Sequence, residues 1–164
     1  MLRLTFSHAP NYFQFYLRDP GVRERAGAAQ AAALTRDGFS ADGSEIAIRT
    51  LSEYSDVAIM VEYDSAGFGP PELSKWDHVV ECAIEAKHGK LVLEGCTDAA
   101  PFGEIDLPAG RYRVRIYFGG QFSGEIDGST EDFYLLQIWP SEDLAVRVLH
   151  GATPWPRPQQ PWER

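Results

Sequence analysis

Residue types able to do covalent chemistry are sparse in this chain. Cys82 and Cys96 are its two thiols, and His78 stands four positions before Cys82. A thiol and an imidazole act as nucleophile and base only within hydrogen-bond reach. Trp76, His78, Val80, Cys82 and Ile84 alternate with Asp77, Val79, Glu81, Ala83 and Glu85, a period of two that predicts a strand. Four strand residues span roughly 13 Å, so His78 and Cys82 share a face but stand too far apart. Cys96, on a following strand-like run, can still approach His78. A buried imidazole among small buried thiols accounts for the three residues without catalysis, and no cysteine-enzyme motif surrounds either thiol.

The carboxylates come next. Glu125, Asp127, Glu131 and Asp132 cluster in a polar, glycine-containing stretch, residues 121–132. Clustered carboxylates are hard-ion ligands, but the D-x-[DN]-x-[DN]-G spacing of a calcium loop and its distal glutamate are missing. The four histidines show no H-x-x-x-H spacing and the two cysteines no zinc knuckle, so no metal and no cofactor are expected. There is no G-x-S-x-G, P-loop or dinucleotide fingerprint. No acid, base and nucleophile set emerges, and the expectation is a protein that is not an enzyme. Arg111, Arg113 and Arg115 form a basic stripe extended by Tyr117. Phosphates could meet such a stripe, but Glu81, Glu85 and Glu94 are available as cross-strand partners, so the arginines are expected to be counter-charges on a solvated sheet face.

Behind that stripe lies the best-defined element. Tyr112, Val114, Ile116 and Phe118 alternate with the arginines, the pattern of an antiparallel strand with one buried face. Similar alternation marks residues 2–7, 12–17, 45–49, 55–64, 91–96, 104–107 and 133–139. The first two are expected to pair, and Gly89 is expected to close a hairpin between residues 76–85 and 91–96. Asp42-Gly43 marks a turn, the prolines at 70 and 71 a loop, and residues 28–34 a short helix. Residues 143–149 can add a short strand or helical turn. The expected architecture is all-β, an antiparallel β-sandwich or flattened barrel of about eight or nine strands with little helix. Residues 1–150 form its single domain, and residues 151–164, with four prolines, Trp155 and Trp162, form an extended tail.

The net charge of −9 is unevenly spread. Residues 37–110 hold fifteen Asp or Glu against Arg49, Lys75, Lys87 and Lys90, whereas residues 1–36 hold five Arg against Asp19 and Glu24. Such an anionic surface repels nucleic acid and anionic membrane and speeds association with a basic partner. No apolar run approaches the roughly 18 to 20 residues of a membrane span, and residues 1–6 enter a strand pattern directly, so a cytoplasmic location without a membrane role is expected.

Several runs together resemble the competence protein J family: Leu4-Thr5-Phe6-Ser7-His8 with Phe13 and Phe15, Asp42-Gly43-Ser44-Glu45-Ile46, Ile105-Asp106-Leu107-Pro108-Ala109-Gly110-Arg111-Tyr112, and Phe133-Tyr134-Leu135-Leu136. The likeness spans residues 2–140 in order. The chain differs from that family in an alanine-rich stretch at 26–33, in the acidic residues 121–132 and in its tail. The resemblance implies a divergent bacterial β-sandwich that inhibits a DNA-entry nuclease. A nuclease cleft is basic because it holds phosphates, so an inhibitor can present carboxylates in their place. The nominated partner-binding acids are Asp98, Glu104, Asp106, Glu125, Asp127, Glu131 and Asp132. The alternative is a sandwich binding a carbohydrate or other small molecule, with Tyr12, Tyr16, Trp76 and Trp139 lining its pocket.

Overall fold

A computed structural model describes residues 1–22, 28–121 and 131–151. Eleven strands and one helix are present among them: β1 (Leu2–His8), β2 (Gln14–Arg18), α1 (Ala28–Asp37), β3 (Phe39–Ala41), β4 (Glu45–Arg49), β5 (Val57–Tyr63), β6 (His78–Ala86), β7 (Lys90–Gly95), β8 (Gly103–Asp106), β9 (Gly110–Gly119), β10 (Phe133–Pro140) and β11 (Arg147–His150). They form two sheets, ordered β1-β5-β10-β9-β6-β11 and β3-β4-β2-β7-β8. The fold is an all-β sandwich. Neither sheet closes into a barrel, and β3 and β11 take the strand number above the expected eight or nine. The tail residues 152–164, the alanine-rich positions 26 and 27, and Glu125 and Asp127 lie outside the described residues.

The alternation in the sequence builds the core as expected. Val114, Ile116 and Phe118 of β9, Tyr134, Leu136 and Ile138 of β10, and Ile59 and Val61 of β5 face Phe15 and Leu17 of β2, Ile46 and Ile48 of β4, and Leu91 and Leu93 of β7. Each side chain removed from water this fully contributes about 1.5–3 kcal/mol before ordering costs. At one end the β3–β4 turn is held by Asp42, whose Oδ1 accepts from the amides of Ser44 and Glu45 at 3.0 and 2.9 Å. The same turn reaches the other sheet, where the Glu85 amide donates to Gly43 O at 2.8 Å.

Two pairings differ from expectation. β1 pairs with β5 and β2 with β4 and β7, so the first two strands lie in different sheets. Gly89, at φ +71°, carries the chain from β6 in one sheet to β7 in the other. A glycine-centred reversal is locally the same signal for a hairpin and for a change of sheet, and the apolar faces of β6 and β7 meet across the core. One central pairing is parallel, β5 with β10.

Candidate functional site

The outward face of the six-stranded sheet is not the solvated ladder its alternation suggests. Arg113 and Arg115 are 2% and 6% exposed. Two segments cover them. Residues 64–77 cross above β9, where Arg115 Nη1 donates to Gly69 O at 2.9 Å. Residues 141–147 cross lower down, where Arg113 donates to Asp143 O at 3.2 Å and to Ala145 O. Glu81 on β6 holds both arginines, Arg115 Nε at 2.6 Å and Arg113 Nε at 3.1 Å. Arg111 remains outside and pairs with Glu142. Of the expected acidic partners, Glu81 and Glu85 face Arg115 and Arg111 in register, whereas Glu94 lies in the other sheet and pairs with Arg18.

Between the 64–77 segment and the sheet lies a cavity of about 410 Å³. Trp76, Tyr117 and Phe68 supply aromatic walls, and Glu62, Gln137 and Arg115 the polar floor. The floor is a continuous chain of hydrogen bonds. Arg3 Nη2 donates to Glu62 Oε1 at 2.6 Å, Gln137 Nε2 to Glu62 Oε2 at 2.9 Å, and Tyr117 OH to Gln137 Oε1 at 2.9 Å. Burial raises the Tyr117 phenol above its ordinary value, against the neighbouring Arg115. Glu62, Gln137, Tyr117 and Arg115 each have a protein partner, which fixes the orientation of the floor. Of the four rings nominated for a pocket, Trp76 lines this one. Trp139 stands beside it, over Arg115 at 5.1 Å and against Phe68 at 5.7 Å. Tyr16 is buried on the outward face of the other sheet under Arg18, and Tyr12 is exposed at one end of the sandwich.

The nominated acids are dispersed. Glu104 and Asp106 are exposed on the edge strand β8, Glu104 closed on Lys90 at 3.1 Å. Asp98 caps the end of β7, accepting from the Gly95 amide at 2.9 Å. Glu131 is exposed. Asp132 is 4% exposed and turned inward, contrary to its nomination as an exposed contact. Its Oδ2 accepts from the Leu51 amide at 2.9 Å and its Oδ1 from Ser52 Oγ at 2.6 Å, tying the start of β10 to the 50–52 loop. No helix among the described residues is long and apolar enough to cross a membrane. Nor do three His, Cys, Asp or Glu side chains converge there to ligate a metal ion.

A sandwich of six and five strands, with a covered ionic ladder and a shallow aromatic cleft on one outer face, defines the class of protein. No protein-family model matches the chain, and no curated protein matches it in sequence. Two solved structures share the fold. One is ComJ from Bacillus subtilis, an inhibitor of the DNA-degrading activity of NucA, with a TM-score of 0.62 and 12% identity over 86% of this chain and 96% of that one. The other is crocagin biosynthetic gene J, with a TM-score of 0.57 and 14% identity over 87% of this chain and all of that one.

Proposed function

We propose that this chain is a non-enzymatic binding protein that inhibits a basic nuclease by occupying its phosphate-binding cleft. The observation that carries the reading is the match to the inhibitor ComJ along 96% of that chain's length. The charge of −9 supports it, since an anionic protein is drawn to a cleft built for the DNA backbone. Arg113 and Arg115 are covered and paired with Glu81, which leaves them unavailable to phosphates. The test is degradation of DNA by the nuclease encoded beside this gene, with and without the purified protein at low ionic strength. Inhibition that weakens steeply with added salt is the expected result, and undiminished cleavage at a large molar excess overturns it.

A second reading is favoured by the cleft. Its volume falls in the range of small-molecule sites, and aromatic walls over a hydrogen-bonded floor suit a ring-bearing polar ligand such as a sugar. Saturation-transfer NMR with a panel of monosaccharides decides it: binding lost in Trp76→Ala supports the cleft, and no transfer to any of them removes it.

A further inference from the structure

We propose that the end of the sandwich carrying Tyr12 and Tyr54 is a docking surface for an arginine-bearing basic protein, a proposal that rests on the binding-protein reading above and names its contact face. Strand register places the loops of this end together. β1 ends at His8 opposite the start of β5 at Val57, β2 begins opposite the ends of β4 and β7, and β10 begins opposite the end of β9.

Tyr12 and Tyr54 are 64% and 72% exposed. Both have left-handed backbones, φ +57° and +65°, a region that favours glycine or asparagine over an aromatic residue. Their rings therefore gain nothing from the core, while the backbone that carries them is tied between loops. The Tyr12 amide donates to Glu53 Oε1 at 3.2 Å, the Tyr54 amide to Pro10 O at 2.9 Å, and the Thr50 amide to Phe13 O at 2.8 Å. Glu53 also raises the Tyr54 phenol above its ordinary value, so one carboxylate neighbours both tyrosines. Asn11 reaches Thr97 on the neighbouring loop. Exposed tyrosines on a braced backbone present a large amphipathic contact area with only two side-chain torsions to order.

Charge identifies the occupant. Glu53 lies beside both tyrosines, Asp56 and Asp98 lie near His8 at the same end, and residues 8–13, 50–56 and 96–102 contain no Lys or Arg. His8, stacked on Phe102 with its ring centroid 3.9 Å away, lies 3.7 Å from Asp98. Its Nε2 is buried without a hydrogen-bond partner. Arg36, at the same end, is closed on Asp37 at 2.6 Å, and Arg49 ends β4. Tyrosine faces flanked by carboxylates fit guanidinium groups, which stack on the rings and pair with the acids. The same carboxylates repel nucleic acid and anionic lipid.

The test is a titration of isotope-labelled protein with an arginine decapeptide, followed by amide chemical shifts at low ionic strength. Shifts concentrated in residues 8–13, 51–56 and 97–102, and a tenfold or greater weakening in the Tyr12→Ser/Tyr54→Ser double variant, are expected. Absent shifts, shifts centred elsewhere, or unchanged affinity of a folded double variant overturn the proposal. The nuclease assay separates the two readings. A chain that binds the peptide here but leaves the nuclease untouched loses the inhibitor reading and keeps the docking surface. A double variant that inhibits as well as the native chain keeps the inhibitor reading and loses the docking surface.

Discussion

Glu81 accepts from Arg115 at 2.6 Å, and the same carboxylate accepts from Arg113 at 3.1 Å, so one buried acid bridges two buried guanidinium groups. Removing one partner of a buried ion pair leaves an uncompensated charge and costs about 3–5 kcal/mol. Glu81→Ala should lower the unfolding free energy by at least that much in urea titration. A loss under about 1 kcal/mol, the worth of an exposed pair, would show that the covering segments do not exclude water from the ladder.

The two thiols should separate cleanly. Cys82 is fully buried, and burial pushes its thiol up to about 12. Cys96 is partly exposed, with Gln14 Nε2 at 3.3 Å and Tyr16 OH at 3.5 Å. An aromatic disulfide reagent at pH 8 should titrate one thiol in the native protein and two in denaturant. Cys96→Ser should abolish the native reaction.

Acid should weaken the fold before the carboxylates titrate. Burial holds the imidazoles of His8 and His78 below their ordinary value of 6.5, outweighing Asp98 at His8 and the Asp37 carbonyl at His78. Between that value and the lower folded ones, the unfolded chain binds more protons than the folded chain. The stability this provides is intact above about pH 6.5 and is lost as pH falls through the folded pKa values. Melting temperatures at pH 7.5, 6.5 and 5.5 should decline for the native sequence, and decline less for His8→Gln and His78→Gln.

Asp132 should be a structural residue. It accepts hydrogen bonds from Leu51, Ser52 and Tyr134, and such bonds to a buried charge contribute about 1.5–3 kcal/mol each. Asp132→Ala should destabilise by about 3 kcal/mol in denaturant titration, and a loss under about 0.5 kcal/mol, the range of an ordinary surface substitution, would show that its hydrogen bonds do not support the fold.

Tyr12 and Tyr54 should behave in the opposite way. A left-handed backbone costs an ordinary L-residue roughly 1–2 kcal/mol, and asparagine tolerates it better. Tyr54→Asn and Tyr12→Asn should each leave thermal stability unchanged or raise it by about 1 kcal/mol, read from calorimetry. A loss of stability would mean that the rings support the fold.

The sequence announced the core more clearly than the surface. Tyr112, Val114, Ile116 and Phe118 declared their buried face because period-two alternation is a local property. That Arg113 and Arg115 are also buried was not legible, since the chain covering them comes from residues 64–77 and 141–147, far away in sequence. Gly89 announced a reversal but not its destination. Trp76 was nominated for a pocket and lines the cleft, while Glu62 and Gln137, its floor, gave no signal beyond ordinary strand positions. Tyr54 was missed altogether, because nothing in the residue type reports a positive φ.

β10 lies between β5 and β9, parallel to one and antiparallel to the other. A strand near the middle of the larger sheet is thus synthesised after both of its neighbours. Residues 64–132 must all emerge after β5, already paired with β1, before its second partner exists, a delay on the order of several seconds at ordinary translation rates. Until β10 arrives, β5 and then β9 each keep one unpaired backbone edge. A chain stalled or cleaved before residue 133 would be a template for pairing with other copies rather than a smaller folded protein, so yield of native material should depend on translation speed and chaperone supply.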